Sequence, residues 1–107
     1  MRKILIAVLT FVLAAHVFAE GAKLEYRYKE FVALNWSDSK EFVSEKFRSI
    51  HEKDFIERIY KDPENGDHYR VLFNIGPIAK YKYFAKGWDG INKDYIYYVT
   101  IENIGRF

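Results

Sequence analysis

Gly76-Pro77-Ile78-Ala79-Lys80-Tyr81-Lys82-Tyr83-Phe84-Ala85-Lys86-Gly87 is the stretch on which the architecture turns. As a helix it carries Ile78, Tyr81, Phe84 and Ala85 on one face, continued by Trp88. Pro77 suits the first turn of such a helix, and Lys86-Gly87 suits its end. As a strand it offers the Lys80-Tyr81-Lys82-Tyr83 alternation, which fits nearly as well. The helix is the preferred reading, and the flanking segments supply a sheet for it to cover.

After a turn at Trp88-Asp89-Gly90-Ile91-Asn92, residues Asp94 to Ile101 read as a last, aromatic strand. Before it, Tyr69, Val71, Phe73 and Ile75 alternate with Arg70, Leu72 and Asn74. The turn-rich Asp62-Pro63-Glu64-Asn65-Gly66-Asp67 joins that strand to the β-forming run Phe55 to Lys61, predicting a hairpin. Further upstream, Phe42, Val43, Phe47 and Ile50 recur at helical spacing, with Lys40, Glu41, Glu45, Arg48 and Glu52 opposite. With a capping box from Asp38 to Glu41, this predicts an amphipathic helix from Asp38 to Lys53. Leu24, Tyr26, Tyr28, Val32, Leu34 and Trp36 occupy even positions and predict a half-buried strand, with Glu30 the exception. The expected class is α+β: a small antiparallel sheet with helices on one face, in the order β-α-β-β-α-β. Were Gly76 to Gly87 a strand, one helix on a four- to five-stranded antiparallel meander, as in cystatin-like folds, would replace it.

The N-terminus reads as an export signal, Met1 to Ala19. Arg2 and Lys3 precede an uncharged apolar run, Ile4 to Ala15, and Val17-Phe18-Ala19 places small residues at the −3 and −1 positions of a cleavage site. The run is shorter than the roughly 20 apolar residues a membrane span needs. The expected product is a single small domain over residues 20–107, periplasmic or secreted, with no membrane partner after cleavage. Of 17 Lys and Arg, two leave with the signal, whereas all 15 Asp and Glu remain, so the net charge of +2 falls to zero. General electrostatic attraction to nucleic acid or to an acidic membrane surface thereby loses its support, and charge recognition must be local. With no cysteine among its 107 residues, the chain relies on core packing rather than disulfides.

Phe31-Val32-Ala33-Leu34-Asn35-Trp36-Ser37-Asp38-Ser39 and Tyr69-Arg70-Val71-Leu72-Phe73-Asn74-Ile75-Gly76-Pro77-Ile78, in that order of elements, resemble the SPOR domain. The resemblance implies the topology above and binding to peptidoglycan glycan strands. This chain departs from the family pattern at Asn35-Trp36-Ser37-Asp38, where a Gly-Ser-Phe-Ser-like helix start is usual.

With even residues of the first strand and odd residues of the others facing the helices, the open face carries Arg27, Lys29, Phe31, Arg58, Tyr60, His68, Arg70, Ile96 and Tyr98. Aromatic rings stack on sugar faces and Arg forks grip carboxylates. Arg27, Phe31, Arg58, Tyr60, Arg70 and Tyr98 are therefore the expected ligand-binding residues, for an envelope glycan. The alternative is a small periplasmic inhibitor or immunity-type protein that binds a partner protein through a loop such as Trp88 to Asp94, with Trp88 as its anchor. No catalytic residue is expected: His16 leaves with the signal, His51 reads as a helix-surface residue, and His68 beside Asp67 lacks a nucleophile or a second ligand. The Asp62 to Phe73 loop fails the calcium-binding spacing, so neither a metal nor a cofactor is expected.

Overall fold

The computed structural model describes residues 19–107; apart from Ala19, the expected export signal lies outside them. The elements in order are β1 (Lys23–Arg27), α1 (Tyr28–Leu34), β2 (Glu41–Ile50), β3 (Lys53–Lys61), β4 (His68–Ile75), α2 (Pro77–Lys86) and β5 (Ile96–Gly105). Short 3-10 turns occupy Trp36–Ser39, Gly87–Gly90 and Lys93–Tyr95. The five strands form one antiparallel sheet in the order β1-β5-β4-β3-β2. The α+β class and the antiparallel sheet with helices on one face are thus present.

Register identifies the covered face. Tyr69, Val71 and Phe73 of β4 stand opposite Tyr60, Arg58 and Ile56 of β3, and Val71 and Phe73 stand opposite Ile101 and Val99 of β5. Ile56, Val71, Val99 and Ile101 are fully buried there. Burying one such aliphatic side chain contributes about 1.5–3 kcal/mol. Phe31 and Tyr28 of α1 meet Phe73 edge-on, with centroids 5.6 and 6.4 Å away. Tyr83 and Phe84 of α2 meet Phe47 of β2 at 6.2 and 4.9 Å.

Within Gly76 to Gly87, residues Pro77–Lys86 are helical, as preferred, with Pro77 in the first turn and Gly87 at φ 62 closing it. Its orientation differs from expectation. Ala79 is the buried residue, while Ile78, Tyr81 and Phe84 are 59, 70 and 62 % exposed. The helix approaches the sheet through its smallest side chain, and the turn after it folds back so that Gly90 lies against the Lys82 carbonyl. A larger residue at either position would hold the backbones apart.

Two upstream segments are corrected. The helix expected over Asp38 to Lys53 is strand β2, paired along its length with β3. A bulge between Phe42 and Ser44 sets Phe42 and Phe47 on the same face despite their odd separation, which imitates a helical spacing. The β2–β3 turn is made by His51 and Glu52 at φ 51 and 65, so His51 is a hairpin-turn residue rather than a helix-surface one. The strand expected to run from Leu24 to Trp36 stops at Arg27, and Tyr28–Leu34 is helical. Glu30, the exception to the alternation, accepts the Arg27 amide at 2.9 Å and so starts α1; Asn35 in the left-handed region ends it. The observed order is β-α-β-β-β-α-β, one strand longer than the SPOR resemblance implies.

Candidate functional site

The open sheet face is closed electrostatically. Glu57 is 4 % exposed at its centre and holds Arg48 at 2.9 Å, Arg70 at 3.0 Å and Lys46 at 3.7 Å. Arg70 reaches on to Glu102 at 3.0 Å. Two acids thus engage three cations, and Arg70, an expected ligand residue, is already committed to two carboxylates. His68, also on this face, stacks on Phe107 at 4.1 Å.

Arg58, Tyr60 and Ile96 face the helices, contrary to the expected parity of β3 and β5. Arg58 donates Nε–H to Glu45 at 2.8 Å and an Nη1–H to the Tyr60 hydroxyl at 3.1 Å. Its guanidinium lies 4.4 Å above the Trp88 ring and 5.4 Å from Phe42. Burial alone lowers the Arg58 pKa, but the bonds to Glu45 and Tyr60 outweigh it and leave the pKa raised. Such a guanidinium holds the covered face together and has no fork left for a ligand.

Trp88 is part of the same assembly. Its ring packs 4.8 Å from Phe73 and carries Lys93 Nζ at 4.3 Å on one side. Lys93 donates to the Trp88 and Ile91 carbonyls at 2.8 and 2.9 Å, pinning the loop. Burial lowers the Lys93 pKa and Arg58 adds to this, with Asp89 and Glu45 opposing. Trp88 is therefore a half-buried clamp rather than a protruding anchor. Phe31 is a core residue, 8 % exposed, against Phe73 and Trp36.

Arg27 and Tyr98, by contrast, are brought together. They are opposite residues of β1 and β5 and line a shallow groove of about 590 Å³ with Tyr28, Lys29, Val32, Lys93, Asp94, Ile96 and Tyr97. The chain passes from β1 into α1 without a loop, which places Arg27, Tyr28 and Lys29 on one wall. The Lys93–Tyr95 turn forms the other, fixed by the Asn92 side chain accepting the Asp94 amide at 3.0 Å. Between Phe73 and Ile75 of β4, the β5 register runs from Val99 to Ile96, so β5 has one extra residue there. That bulge turns Ile96 and Val99 both inward and leaves Tyr97 and Tyr98 58 and 47 % exposed.

The groove therefore presents Arg27 and Lys29 against one acid, Asp94, while the ammonium of its third cation, Lys93, is turned to the Trp88 and Ile91 carbonyls. Among the described residues, Arg27 and Lys29 have no carboxylate at ion-pair distance. Burial raises the Tyr28 pKa, with Arg58 opposing, so this phenol remains a neutral donor near neutral pH. Tyr97 and Lys93 were not among the expected site residues. Their signal is the failure of alternation in Ile96-Tyr97-Tyr98-Val99, where two consecutive tyrosines sit between two inward aliphatics.

Among the described residues no group of three or more His, Asp or Glu is placed to hold a metal ion. Nor is any of their helices long and apolar enough to cross a membrane. Comparison with protein-family models, with curated proteins and with solved structures gives no significant match to this chain.

Proposed function

We propose that this chain is an exported, non-enzymatic binding module whose groove between β1–α1 and the start of β5 takes an acidic saccharide of the cell envelope, with peptidoglycan glycan as the target. The observation that carries this reading is the juxtaposition of Tyr97 and Tyr98, both exposed, with the unpaired cations Arg27 and Lys29. Phenol rings stack on the apolar faces of pyranoses, and the cations meet carboxylates at the rim. A shallow groove open to solvent suits a polymer that lies across it better than a small substrate that must be enclosed. The zero net charge of residues 20–107 leaves this local excess of cations as the recognition element.

Purified sacculi pull-down is the direct test. The chain is expected to be retained, Arg27→Ala with Tyr98→Ala to reduce retention to background, and Arg70→Ala to leave it unchanged. Absence of retention, or retention insensitive to the double substitution, refutes the proposal.

A further inference from the structure

The outward face of α2 has the composition of a surface that rests on an anionic lipid bilayer, and we propose that it does so, in place of the expectation of no membrane partner. α2 covers the β2 side of the sheet, through Phe47, whereas the saccharide groove lies at the β1 and β5 side. The two surfaces are separate, and neither inference depends on the other.

At 3.6 residues per turn, the buried side of α2 centres on Ala79 and Tyr83. Directly opposite lie Tyr81 and Ala85, with Ile78 on one side of them and Phe84 on the other. Lys82 borders the Ile78 edge of this stripe and Lys80 the Phe84 edge, whereas Lys86, in the last turn, falls on the Ala79 side. Three large apolar side chains, each at least 59 % exposed, thus form a stripe flanked on both sides by lysines. An ordinary surface helix has the reverse arrangement, with its apolar stripe against the core. Lysines flanking an outward apolar stripe can lay their stems along it and extend their ammonium groups to phosphates at the same depth.

Charge decides the occupant. α2 contains three lysines and no acid, and among the described residues none of the three makes an ion pair. Glu45, the acid beside Tyr83 of α2, is engaged with Arg58 at 2.8 Å. A second copy seated stripe to stripe would bring the four flanking lysines together, which disfavours self-association. An anionic headgroup layer over a hydrocarbon interior satisfies the lysines and the stripe at once. The site is a resting surface, since ten residues make only about 15 Å of helix.

The test uses the chain beginning at Glu20, which contains every element and every described core residue, so the apolar N-terminus does not contribute. It is sedimented with vesicles of phosphatidylcholine and with vesicles containing one third phosphatidylglycerol. Retention is expected on the anionic vesicles only. The two flanking lysines add about tenfold or less each at such a surface, so Lys80→Gln with Lys82→Gln should weaken partition about thirtyfold. Ile78→Ser with Tyr81→Ser should abolish it. Phe84 touches Phe47, so it is left intact to keep the fold, and unchanged far-ultraviolet circular dichroism confirms that. No retention, equal retention on neutral vesicles, or retention by the serine variant overturns the proposal. So does a dimer that the serine substitutions dissociate, because the stripe would then belong to a second copy. Sacculi retention by the serine variant should equal that of the parent, which keeps this result distinct from failure of the saccharide groove.

Discussion

Replacing Glu57 by Gln separates a self-neutralised sheet face from a cationic ligand surface. The substitution keeps the side-chain shape and removes the charge that three cations share. Arg48 donates a well-formed bond at 2.9 Å and is 38 % exposed, so the lower end of the charge-assisted range applies, about 1.5 kcal/mol. Arg70 Nε lies 3.0 Å from Glu57 but lacks hydrogen-bond geometry and is 35 % exposed, which limits this pair to about 0.5–1 kcal/mol. Lys46 at 3.7 Å and 62 % exposure adds nothing measurable. The glutamine carbonyl recovers about 0.5 kcal/mol as a neutral acceptor.

The expected loss is therefore about 2 kcal/mol, read as a downward shift of about 2 M in the urea midpoint for a domain whose slope is about 1 kcal/mol/M. Added salt should narrow the gap between parent and variant, because both arginines are partly in solvent. Glu57→Gln should not raise retention on sacculi, since Arg70 keeps Glu102 at 3.0 Å. A stability loss under about 0.5 kcal/mol would show that the network holds nothing together. A gain in glycan retention would return the ligand site to the open face.

Two further outcomes follow from local geometry. His51 and Glu52, at φ 51 and 65, fill the positive-φ pair that a two-residue hairpin turn demands, without the residues that favour it. His51→Asn with Glu52→Gly should stabilise the fold by about 1 kcal/mol in urea denaturation, and a loss of stability would exclude this turn geometry. At alkaline pH, burial raises the pKa of Tyr26, Tyr28, Tyr69 and Tyr83 above 10.0. A phenol with a raised folded-state pKa favours folding fully below 10.0, and that advantage is lost as pH climbs through the folded-state value. Lys93, lowered, gives stability a smaller slope of the opposite sign just below its ordinary value. Stability should thus decline above about pH 10, with part of the tyrosinate absorbance appearing only on unfolding; a single ordinary titration of all nine tyrosines in the folded chain would contradict it.

Regular alternation made β4 readable: Tyr69, Val71, Phe73 and Ile75 are its four buried residues, as their spacing states. The Pro77 start and Gly87 stop made α2 readable for the same reason, because both residues act through local sterics. β2 was not readable, because two local features disguised it together. The bulge at Val43 gave an apolar spacing that belongs to a helix, and the turn after it used His and Glu where Asn-Gly would have announced a hairpin. The long pairing with β3 overrode both signals, since nine residue pairs of ladder outweigh a capping box.

The binding residues divide along the same line. Strand parity is a one-residue property, and the sequence contains no information on it where a bulge intervenes. In β3 the parity is the reverse of the expected one, so Arg58 and Tyr60 are structural and Glu57 stands at the centre of the open side. In β5 the bulge restored Tyr98 to the surface and added Tyr97 beside it. Arg27 stayed accessible for a different reason: it is the hinge residue between β1 and α1, where neither a sheet partner's carboxylate nor a core claims it. What the chain exposes is therefore set where its regular patterns break, and both surfaces proposed for binding arise there: consecutive tyrosines at a bulge, and a helix whose one buried residue is an alanine.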